Sequence, residues 1–462
     1  KLYFEPLTFE DVMNVIENED PEGVILQFGG QTPLKLAKDL QKNNVKILGT
    51  DSSSIDLAED RELFKQLIIR LDLKQPISAT ATTIEQAINI ANNIGYPVLV
   101  RPSYVLGGRA MMIVYDQIHM EKYSKEAIKV SGDHPILIDK FLEDAIEIDV
   151  DALSDGNNTI ICGIMEHIEA AGVHSGDSAC SLPPRTLTKE TIEELKRETM
   201  IVSKELGIKG FINIQFAIKD NIIYILEVNP RASRTIPFVS KATGIAWPKI
   251  ATKILLGQTL KELNVEEIMP DYYAVKEVVL PFAKFPDVDV VLGPEMKSTG
   301  EVMGIDKDFS LAYYKAFYAS GSILPTKGNV FLSLADKDKS YINDIAQKLN
   351  VLGFKIFATQ RTYNMIKDLP NVYYVKKVSE GRPNILDSII NDEIDFVINT
   401  PSGKVSFSDS FHIRRLSLLK NIPYCTTIWG ALASIEAITA KIKSQTIDVK
   451  AIQDYYKELR NE

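Results

Sequence analysis

Residues 211–229 alternate between apolar and polar positions in a way that predicts a β-hairpin. Two β-rich runs, Phe211 to Ile218 and Ile222 to Val228, flank the polar connector Lys219-Asp220-Asn221, which is of the kind that closes hairpins. A turn at that connector would place Asn213 opposite Glu227. Because side chains alternate between the two faces of a strand, we predict one polar face and one apolar face. The polar face would hold Asn213, Gln215, Glu227 and Asn229, and the apolar face Ile212, Ile214, Phe216, Tyr224, Leu226 and Val228.

The polar face of this hairpin carries the right atoms for a metal–nucleotide site. Gln215, Glu227 and Asn229 offer hard oxygen donors, and Arg231 and Arg234 add positive charge just beyond them. Such a set suits Mg²⁺ held between the protein and nucleotide phosphates. The pattern alone fits an amphipathic hairpin with its polar face in water equally well.

The first 50 residues show alternating helix and strand patterns. Thr8 is placed as an N-cap, Val24 to Phe28 and Val45 to Leu48 predict buried strands, and Leu34 to Leu40 predicts a helix. This is half of a doubly wound unit. Because the pattern starts on a second or third element, we expect that a preceding part of the domain is missing.

A glycine-rich loop lies between two further predicted strands, Val98 to Arg101 and Ala110 to Tyr115. The loop contains Gly107 and Gly108, and Arg101 and Arg109 flank it. A loop of this kind can fold over a triphosphate and supply backbone donors and charge. An ordinary long hairpin is the alternative.

Two later stretches could complete a nucleotide pocket. Ile138 to Leu142 could offer backbone groups to a purine, and Glu147 could accept hydrogen bonds from ribose hydroxyls. The small-residue stretch that contains His167 and His174 predicts a long loop, where functional sites are common. Its histidine spacing does not match a zinc motif.

The C-terminal third predicts a separate β/α domain. Pro281 to Gly304 has a linker-like pattern and Phe309 to Ala319 predicts a helix. From Asn329 onward, five apolar runs alternate with helices, as in a parallel sheet: FLSLA, FKIFAT, VYYVKKV, FVINT and IPYCTT. Ligands of such sheets bind at the strand ends.

Composition narrows the class of protein. A chain of 462 residues predicts roughly three domains. The net charge of -10 argues against a nucleic-acid-binding surface. Three widely spaced cysteines without a CxxC pair indicate neither a disulfide framework nor a thiolate metal site. This cysteine usage fits a reducing, cytoplasmic setting. No apolar run is long enough for a membrane span, and the N-terminus carries no signal-like segment.

The order of the motifs resembles a known family. RPSYVLGGRAM, AGVHSGDSACSLP, NIQFAI and EVNPRASRTIPFVSKATG follow one another as in the ATP-grasp core of the carbamoyl phosphate synthetase large subunit. The resemblance extends through VKEVVLPFAKFPDVDVVLGPEMKSTGEVMG. The β/α domain that follows resembles the methylglyoxal-synthase-like regulatory domain, which indicates the C-terminal half of that subunit.

This resemblance implies an α/β fold in three parts. Residues 1–60 would form a partial pre-ATP-grasp doubly wound domain, residues 61–322 an ATP-grasp domain with a C-terminal extension, and residues 323–462 a methylglyoxal-synthase-like domain. It also implies ATP-dependent phosphorylation of carbamate to carbamoyl phosphate with Mg²⁺ or Mn²⁺, for the pyrimidine and arginine pathways. The implied partners are the N-terminal half of the large subunit, the glutaminase small subunit, carbamate and an anionic effector.

The resemblance further assigns residues to the ATP site. Arg101 and the loop of Gly107 and Gly108 would bind phosphates, and Gln215, Glu227 and Asn229 would hold the metal ions. Arg231 and Arg234 would face the transferred phosphoryl group or the carbamate. The remaining nucleotide contacts would come from Lys140, Leu142, Glu147, Gly172, Val173, His174 and Ser175.

A second set of residues would form the effector pocket of the regulatory domain: Ser333, Lys339, Thr359, Thr362, Lys377 and Asn399. These side chains suit an anion. Gln360-Arg361 and Pro401 depart from the family pattern, so altered or lost effector binding is an alternative.

Two other functions stay open from the sequence. The chain could be a catalytically silent piece that binds an effector and docks on a missing half. It could also be another ATP-grasp ligase that forms an acyl phosphate, such as a biotin carboxylase-like enzyme. The PEMKSTGEVMG segment followed by the regulatory domain argues against this last alternative.

Overall fold

The computed structural model describes residues 1–102, 111–131, 135–284, 290–400 and 404–459. Apolar runs with β-branched residues form its strands, which are, in chain order, β1 (Ser78–Ala81), β2 (Val98–Arg101), β3 (Met112–Val114), β4 (Ile136–Lys140), β5 (Ile146–Asp155), β6 (Thr159–His167), β7 (Cys180–Leu182), β8 (Lys209–Lys219), β9 (Ile222–Asn229), β10 (Tyr273–Val279), β11 (Gly300–Asp306), β12 (Asn329–Ser333), β13 (Lys355–Ala358), β14 (Val372–Tyr374), β15 (Phe396–Asn399) and β16 (Tyr424–Cys425).

Many of the helices begin at a side chain that caps the first turn, as Thr8, Asp60 and Thr188 do. The helices are, in chain order, α1 (Phe9–Glu19), α2 (Gln31–Leu34), α3 (Ala37–Lys42), α4 (Ser52–Glu59), α5 (Arg61–Arg70), α6 (Ile84–Ile94), α7 (Gln117–Ser131), α8 (Lys189–Glu205), α9 (Ile236–Thr243), α10 (Trp247–Leu255), α11 (Leu260–Leu263), α12 (Phe309–Ala319), α13 (Ile342–Val351), α14 (Gln360–Ile366), α15 (Ile385–Ile390), α16 (Lys404–Leu419), α17 (Ile428–Ser444) and α18 (Ile452–Leu459).

The chain divides into two compact units. The first comprises residues 1–166, 182–270 and 451–462, and the second comprises residues 167–181 and 271–450. The second unit thus combines residues 271–322 with most of the β/α region. The domain boundaries expected at residues 60 and 322 stay predictions.

The first unit contains a small antiparallel sheet in the order β1-β4-β2-β3. Helices α6 and α7 contact its strands. Apolar residues from both helices and from the strands, including Ala87, Met120, Val98 and Ile138, form its core. This sheet positions Arg101 at the end of β2.

A second antiparallel sheet of the first unit runs in the order β6-β5-β8-β9. One face is apolar, and residues of α5 and α8 such as Phe64 and Leu195 pack with its Val150 and Ile214 in one buried cluster. Burial of that face fixes the register, because a slip by one residue would bring its polar face into the core. The other face carries the candidate site.

The N-terminal segment forms less strand than the sequence predicts. Val24 and Ile47 form an isolated parallel bridge, and Val24 exchanges backbone hydrogen bonds with Lys46 and Leu48. The predicted helix Leu34 to Leu40 is split into α2 and α3. The apolar residues, including Leu26 and Leu40, still pack in one cluster. The pattern therefore predicted the buried residues correctly, but it predicted more strand pairing than the single bridge that forms.

The second unit corrects the expectation of a linker from Pro281 to Gly304. The segment ends in β11, which pairs antiparallel with β10 over seven residue pairs from Tyr273 and Asp306 to Val279 and Gly300. Helix α12 contacts both strands. The glycine and proline residues of this segment therefore made its strand difficult to predict. The predicted helix from Phe309 to Ala319 is confirmed.

The predicted parallel sheet is confirmed in the order β14-β13-β12-β15-β16. Its central strands are buried on both sides, with Val330, Phe331 and Leu332 fully enclosed. This explains why they appear in the sequence as continuous apolar runs. Helix α14, between Gln360 and Ile366, was not predicted.

The described residues include neither a membrane-spanning helix nor a disulfide bond. Within them, no helix is both long and apolar enough to cross a membrane. Cys162, Cys180 and Cys425 are buried and free, which agrees with the prediction that they form no disulfide framework.

Helix α8 carries a buried carboxyl group that tests the stability of the first unit. Glu198 is 6% exposed and its Oε2 has no hydrogen-bond partner. Burial, reinforced by the nearby Glu194, raises the pKa of Glu198 from 4.5 to about 7. Stability from the protonated group is therefore present at low pH and lost as pH rises through about 7.

We expect Glu198→Gln to raise the free energy of unfolding at pH 8 by about 2 kcal/mol and to change it little at pH 4, because glutamine cannot ionise. Urea unfolding at both pH values measures the difference. Glu193→Gln, an exposed change on the same helix, serves as the control. Equal pH dependence in wild type and Glu198→Gln would contradict the expectation.

Candidate active site

The hairpin β8–β9 closes on a two-residue turn rather than the predicted three-residue connector. Asp220 and Asn221 both have positive φ angles, 51° and 60°, and Lys219 pairs with Ile222. Two left-handed residues in succession match the type I′ turn, whose twist suits a hairpin. The predicted register was therefore wrong.

A β-bulge shifts the register again further along the hairpin. Gln215 lies opposite Glu227 and Asn213 opposite Asn229, but Phe216 lies opposite Ile225, which leaves Leu226 as the extra residue. The shared polar face of Asn213, Gln215, Glu227 and Asn229 is confirmed. The prediction for Tyr224 and Leu226 was wrong, because the bulge reverses the alternation and places Tyr224 opposite Ala217.

The neighbouring strand β5 extends this polar face. Glu147 lies opposite Ala217, Asp149 opposite Gln215, and Asp151 opposite Asn213. Since directly paired residues of antiparallel strands point to the same face, these three acids share the face of the hairpin's polar residues. Asp149 and Asp151 were not among the predicted site residues. Their alternation in the run IEIDVDAL was a signal that could have found them.

A chain of hydrogen bonds crosses the three strands. Asp151 Oδ1 accepts from Asn213 Nδ2 at 3.0 Å, and Asn213 Oδ1 accepts from Asn229 Nδ2 at 3.4 Å. Asn229 Oδ1 then accepts from Arg231 Nη2 at 3.0 Å. Burial raises the pKa of Asp151 to about 6, even though its hydrogen-bond donors act in the opposite direction. These hydrogen bonds link the polar side chains of all three strands to Arg231.

Two of the predicted metal ligands on this polar face are accessible to solvent. Glu227 is exposed and Gln215 is partly exposed, whereas Asn229 is 6% exposed. Their oxygen donors suit a hard divalent cation such as Mg²⁺, which often completes its octahedral shell with phosphate oxygens and water. In the described residues no cluster of three His, Cys, Asp or Glu side chains could hold a metal.

Arg231 is held in place by three hydrogen bonds. Its Nε donates to Gln31 Oε1, its Nη1 to the Ala232 carbonyl and its Nη2 to Asn229 Oδ1, each at 3.0 Å. Burial lowers the pKa of Arg231, and the carboxylates of Glu227 and Glu59 oppose that effect. Gln31, which follows the Gly29-Gly30 turn, was not predicted as a site residue.

Gln31 in turn donates to Glu59 at the end of α4. Burial raises the pKa of Glu59, and the hydrogen bond from Gln31 partly offsets this. Arg234 is exposed, between the inward-facing Ser233 and Thr235. The turn Gly29-Gly30-Gln31 thus contacts Arg231 through the side chain of Gln31.

Arg101 lies on the small sheet and pairs with Asp139 of β4 at 2.6 Å. Both side chains are largely buried. The pairing directs the guanidinium, and the Nε of Arg101 has no hydrogen-bond partner. Asp139 was missed, although an acid in the apolar run ILID is a signal for a buried partner. Gly107 and Gly108 lie outside the described residues.

The side chain of Lys140 points to the end of helix α6. Its Nζ donates to the carbonyls of Gly95 and Tyr96 at 2.8 and 3.0 Å. Leu142 and Glu147 are partly exposed. Contact of these three residues with a nucleotide stays a prediction.

Residues 172–175 belong to the second unit. Gly172 has a φ of 110°, His174 donates its backbone N–H to Gly293 O at 2.8 Å, and its Nδ1 accepts from Gly176 N at 3.0 Å. A short 3₁₀ turn follows from Ser175 to Asp177. Gly172, Val173, His174 and Ser175 remain predicted nucleotide contacts.

The proposed effector residues cluster in part at the carboxyl edge of the parallel sheet. Ser333 Oγ and Thr359 Oγ1 are 3.3 Å apart, and Asn399 Nδ2 donates to Ser333 O at 3.3 Å. Asn399 Oδ1 is buried without a hydrogen-bond partner. Thr362 is buried in the first turn of α14.

The predicted basic residues of that pocket lie near an acid. Lys339 forms an ion pair with Asp336, and Arg361 pairs with the same carboxylate at 3.1 Å. The hydrogen bond from Lys339, with the charges of Arg361 and Lys377, lowers the pKa of Asp336. An anionic effector would have to compete with this carboxylate. All six effector assignments remain predictions.

Family models match three segments of the chain. Residues 1–57 match the carbamoyl phosphate synthase preATP-grasp domain and residues 60–263 match the carbamoyl-phosphate synthase L chain, ATP binding domain. Residues 341–426 match the MGS-like domain.

Curated relatives cover nearly the whole chain. The carbamoyl phosphate synthase large chain, C-terminal section, of Aquifex aeolicus is 56% identical, with coverage of 99% of this chain and 89% of the relative. The carbamoyl phosphate synthase large chain of Archaeoglobus fulgidus is 55% identical over 99% of this chain, which spans 43% of that relative. The chain thus spans less than half the length of a full large chain.

Solved structures share the fold at low sequence identity. The biotin carboxylase domain of Hydrogenobacter thermophilus 2-oxoglutarate carboxylase, in complex with MgADP, ADP and bicarbonate, superimposes with a TM-score of 0.56 and 19% identity, covering 69% of this chain and 79% of that one. Biotin carboxylase from Campylobacter jejuni gives 0.54 and 17%, covering 67% and 78%. At this identity the likeness concerns the fold alone.

Proposed function

This chain belongs to the carbamoyl phosphate synthase large-chain family, and from that premise we propose that it transfers the γ-phosphoryl group of ATP to carbamate. The family resemblance, the α/β fold class with an ATP-grasp core and the assignment to ATP-dependent ligases are confirmed. In the proposed step a carbamate oxygen attacks the γ-phosphorus, the bond from that phosphorus to the β,γ-bridging oxygen breaks, and ADP leaves with carbamoyl phosphate formed.

One observation supports this proposal most strongly. The side chains on the polar face of β5, β8 and β9 form a hydrogen-bonded chain that ends at the guanidinium of Arg231. Phosphoryl transfer asks a protein mainly to position reactants and neutralise the oxygens of the transferred group. A guanidinium fixed by three hydrogen bonds costs little reorganisation when charge develops. A side-chain nucleophile is not required.

We assign roles to these residues from the family resemblance and the chemistry of their side chains. Gln215, Glu227 and Asn229 would hold Mg²⁺ or Mn²⁺, which when bound neutralises charge on the phosphate oxygens. Arg231 and Arg234 would orient the transferred phosphoryl group or the carbamate, and Arg101 would bind phosphates. Asp139 would keep Arg101 in the orientation that its ion pair sets.

The wider functions are proposed on the family resemblance. The N-terminal half of the large chain and the glutaminase subunit would supply carbamate, and the product would enter pyrimidine and arginine synthesis. The cluster of Ser333, Thr359 and Asn399 would bind an anionic effector, with the neighbouring hydroxyls of Ser333 and Thr359 as hydrogen-bond donors. We propose a cytoplasmic location from the same resemblance.

Calorimetric titration separates an active nucleotide site from an effector-binding module. We expect MgADP to bind wild type and Lys339→Ala alike, but Glu227→Gln at least about 10-fold more weakly, because Glu227 belongs to the proposed metal set and Lys339 does not. Uridine or inosine monophosphate should show the reverse dependence. Absence of MgADP binding to the folded chain, with nucleoside monophosphate binding retained, would overturn the enzymatic proposal.

A further inference from the structure

Asp151 lies on the polar face of the sheet, opposite Asn213, and its side chain is enclosed by its neighbours. It is 1% exposed on β5. Its Oδ1 accepts from Asn213 Nδ2 at 3.0 Å, and its Oδ2 accepts from Ser233 Oγ at 2.8 Å and from Thr235 Oγ1 at 2.6 Å. The carboxylate therefore joins three elements: β5, β8 and the loop after β9.

The two hydroxyl donors bracket an exposed arginine. Ser233 and Thr235 both turn inward to the same oxygen of Asp151, and Arg234 between them is exposed. With both neighbours anchored to one atom, the backbone of Arg234 has little freedom to rotate. The backbone position from which the Arg234 side chain extends is thus fixed by these two hydrogen bonds.

The same carboxylate also acts on the other end of the loop. Asn213, which donates to Asp151, accepts from Asn229, and Asn229 accepts from Arg231. Ala232 N adds a bond to Gln27 O at 3.0 Å. Residues 229–235 are therefore held along their length, and Asp151 contacts both arms of the network.

A buried carboxylate contributes little to the stability of a fold, because its desolvation costs free energy. An apolar residue of similar size often gives a more stable protein. Strand β5 already contributes Ile148, Val150 and Ala152 to the opposite, apolar face. The acid on the polar face is better explained by what it orders than by the stability it adds.

We propose that Asp151 is a positioning residue that fixes loop 229–235 and thereby orients Asn229, Arg231 and Arg234 toward the phosphates. The inference rests on the proposed function for its catalytic consequence, but not for its structural one. It acts through its neighbours and touches no substrate. Outer-shell residues of this kind typically contribute about 10- to 100-fold to affinity or activity.

The test uses hydrogen exchange of residues 229–235 in the ligand-free chain, MgADP affinity, and the rate of ATP formation from carbamoyl phosphate and ADP. Asp151→Ala removes the acceptor for all three donors, and Ser233→Ala removes one donor with Asp151 intact. Asp151→Asn keeps the size, accepts from Asn213 and can donate to the hydroxyls. Ser203→Ala is the matched control, because Ser203 is fully buried in α8 and bonds Thr159 at 2.9 Å, away from the loop.

We expect Asp151→Ala to speed exchange in residues 229–235 by about 10-fold or more and to weaken MgADP binding and activity by about 10- to 100-fold. Ser233→Ala should give a smaller change in the same direction, and Asp151→Asn should stay within about 3-fold of wild type in exchange. Ser203→Ala should lower Tm without changing exchange of the loop.

Wild-type exchange of the loop in Asp151→Ala would overturn the proposal, as would an equal increase in Ser203→Ala. If Asp151→Ala fails to fold, Ser233→Ala decides, and unchanged loop exchange in that variant then overturns it. Faster exchange in a chain whose wild type makes no ATP would reject the proposed function while leaving the positioning role intact.

Discussion

Glu227→Gln is expected to lower the rate of phosphoryl transfer by at least about 1,000-fold, because it removes the only carboxylate from the proposed metal set. Glutamine keeps the size and one oxygen of the side chain, so the hairpin should fold normally. Glu227 is exposed, which means that its loss leaves no buried cavity. The measurement is the initial rate of ATP formation from carbamoyl phosphate and MgADP at saturating substrates.

Asp220→Asn is the matched control for this change. Asp220 is an exposed acid on the same hairpin, at the turn, and its left-handed backbone suits asparagine. We expect the control to retain wild-type rate. A fall of less than about 10-fold in Glu227→Gln, with an unchanged Asp220→Asn, would remove Glu227 from the metal set.

Arg231→Lys is expected to lower kcat by about 100-fold while changing the KM for MgADP by less than about 3-fold. Lysine keeps the positive charge, but it cannot donate to Gln31, Asn229 and the Ala232 carbonyl from one planar group. The lost function is therefore orientation of charge in the transition state, which appears in kcat. Steady-state kinetics over a range of ADP concentrations measure both parameters.

Arg197→Lys provides the comparison, since Arg197 is half exposed on α8 and pairs only locally with Glu194 among the ion pairs of the described residues. It should behave as wild type. Equal kinetic constants for Arg231→Lys and wild type would show that a point charge suffices at this position. The hydrogen-bond network would then have no catalytic role.

The polar face of the hairpin could be predicted from the sequence because a period of two survives small errors in register. Asn213, Gln215, Glu227 and Asn229 share a face in the structure as predicted, although their partners differ from those expected. The register itself depended on positive φ angles at Asp220 and Asn221 and on an extra residue at Leu226. Local propensity does not determine such features well.

The wider site was harder to predict because its parts are distant in sequence. Asp151 meets Asn213 after 62 residues, and Gln31 meets Arg231 after 200. A single sequence carries no direct sign of such pairings, although the alternating acids of β5 pointed to a polar face. Asp139, the partner of Arg101, was likewise visible only as an acid within an apolar strand.

The same limits explain the errors in the fold. The C-terminal parallel sheet was clear, because strands buried on both faces form continuous apolar runs. Strand β11 was mistaken for part of a linker, since its Gly300 and Gly304 weaken the strand pattern. At Gly304 an added Cβ would come within 2.1 Å of Ala312 O, so close packing against α12 requires glycine at this position. The same glycine weakens the strand pattern in the sequence.

The central claim is that this chain transfers a phosphoryl group between ATP and carbamate. The most direct measurement follows the back reaction by ³¹P NMR, with the isolated chain, MgADP and carbamoyl phosphate, and with acetyl phosphate as the alternative donor. We predict that ATP forms in proportion to the carbamoyl phosphate consumed above its spontaneous decay, with little or none from acetyl phosphate. A folded chain that binds MgADP but forms no ATP from carbamoyl phosphate, or uses both donors equally, would contradict the claim.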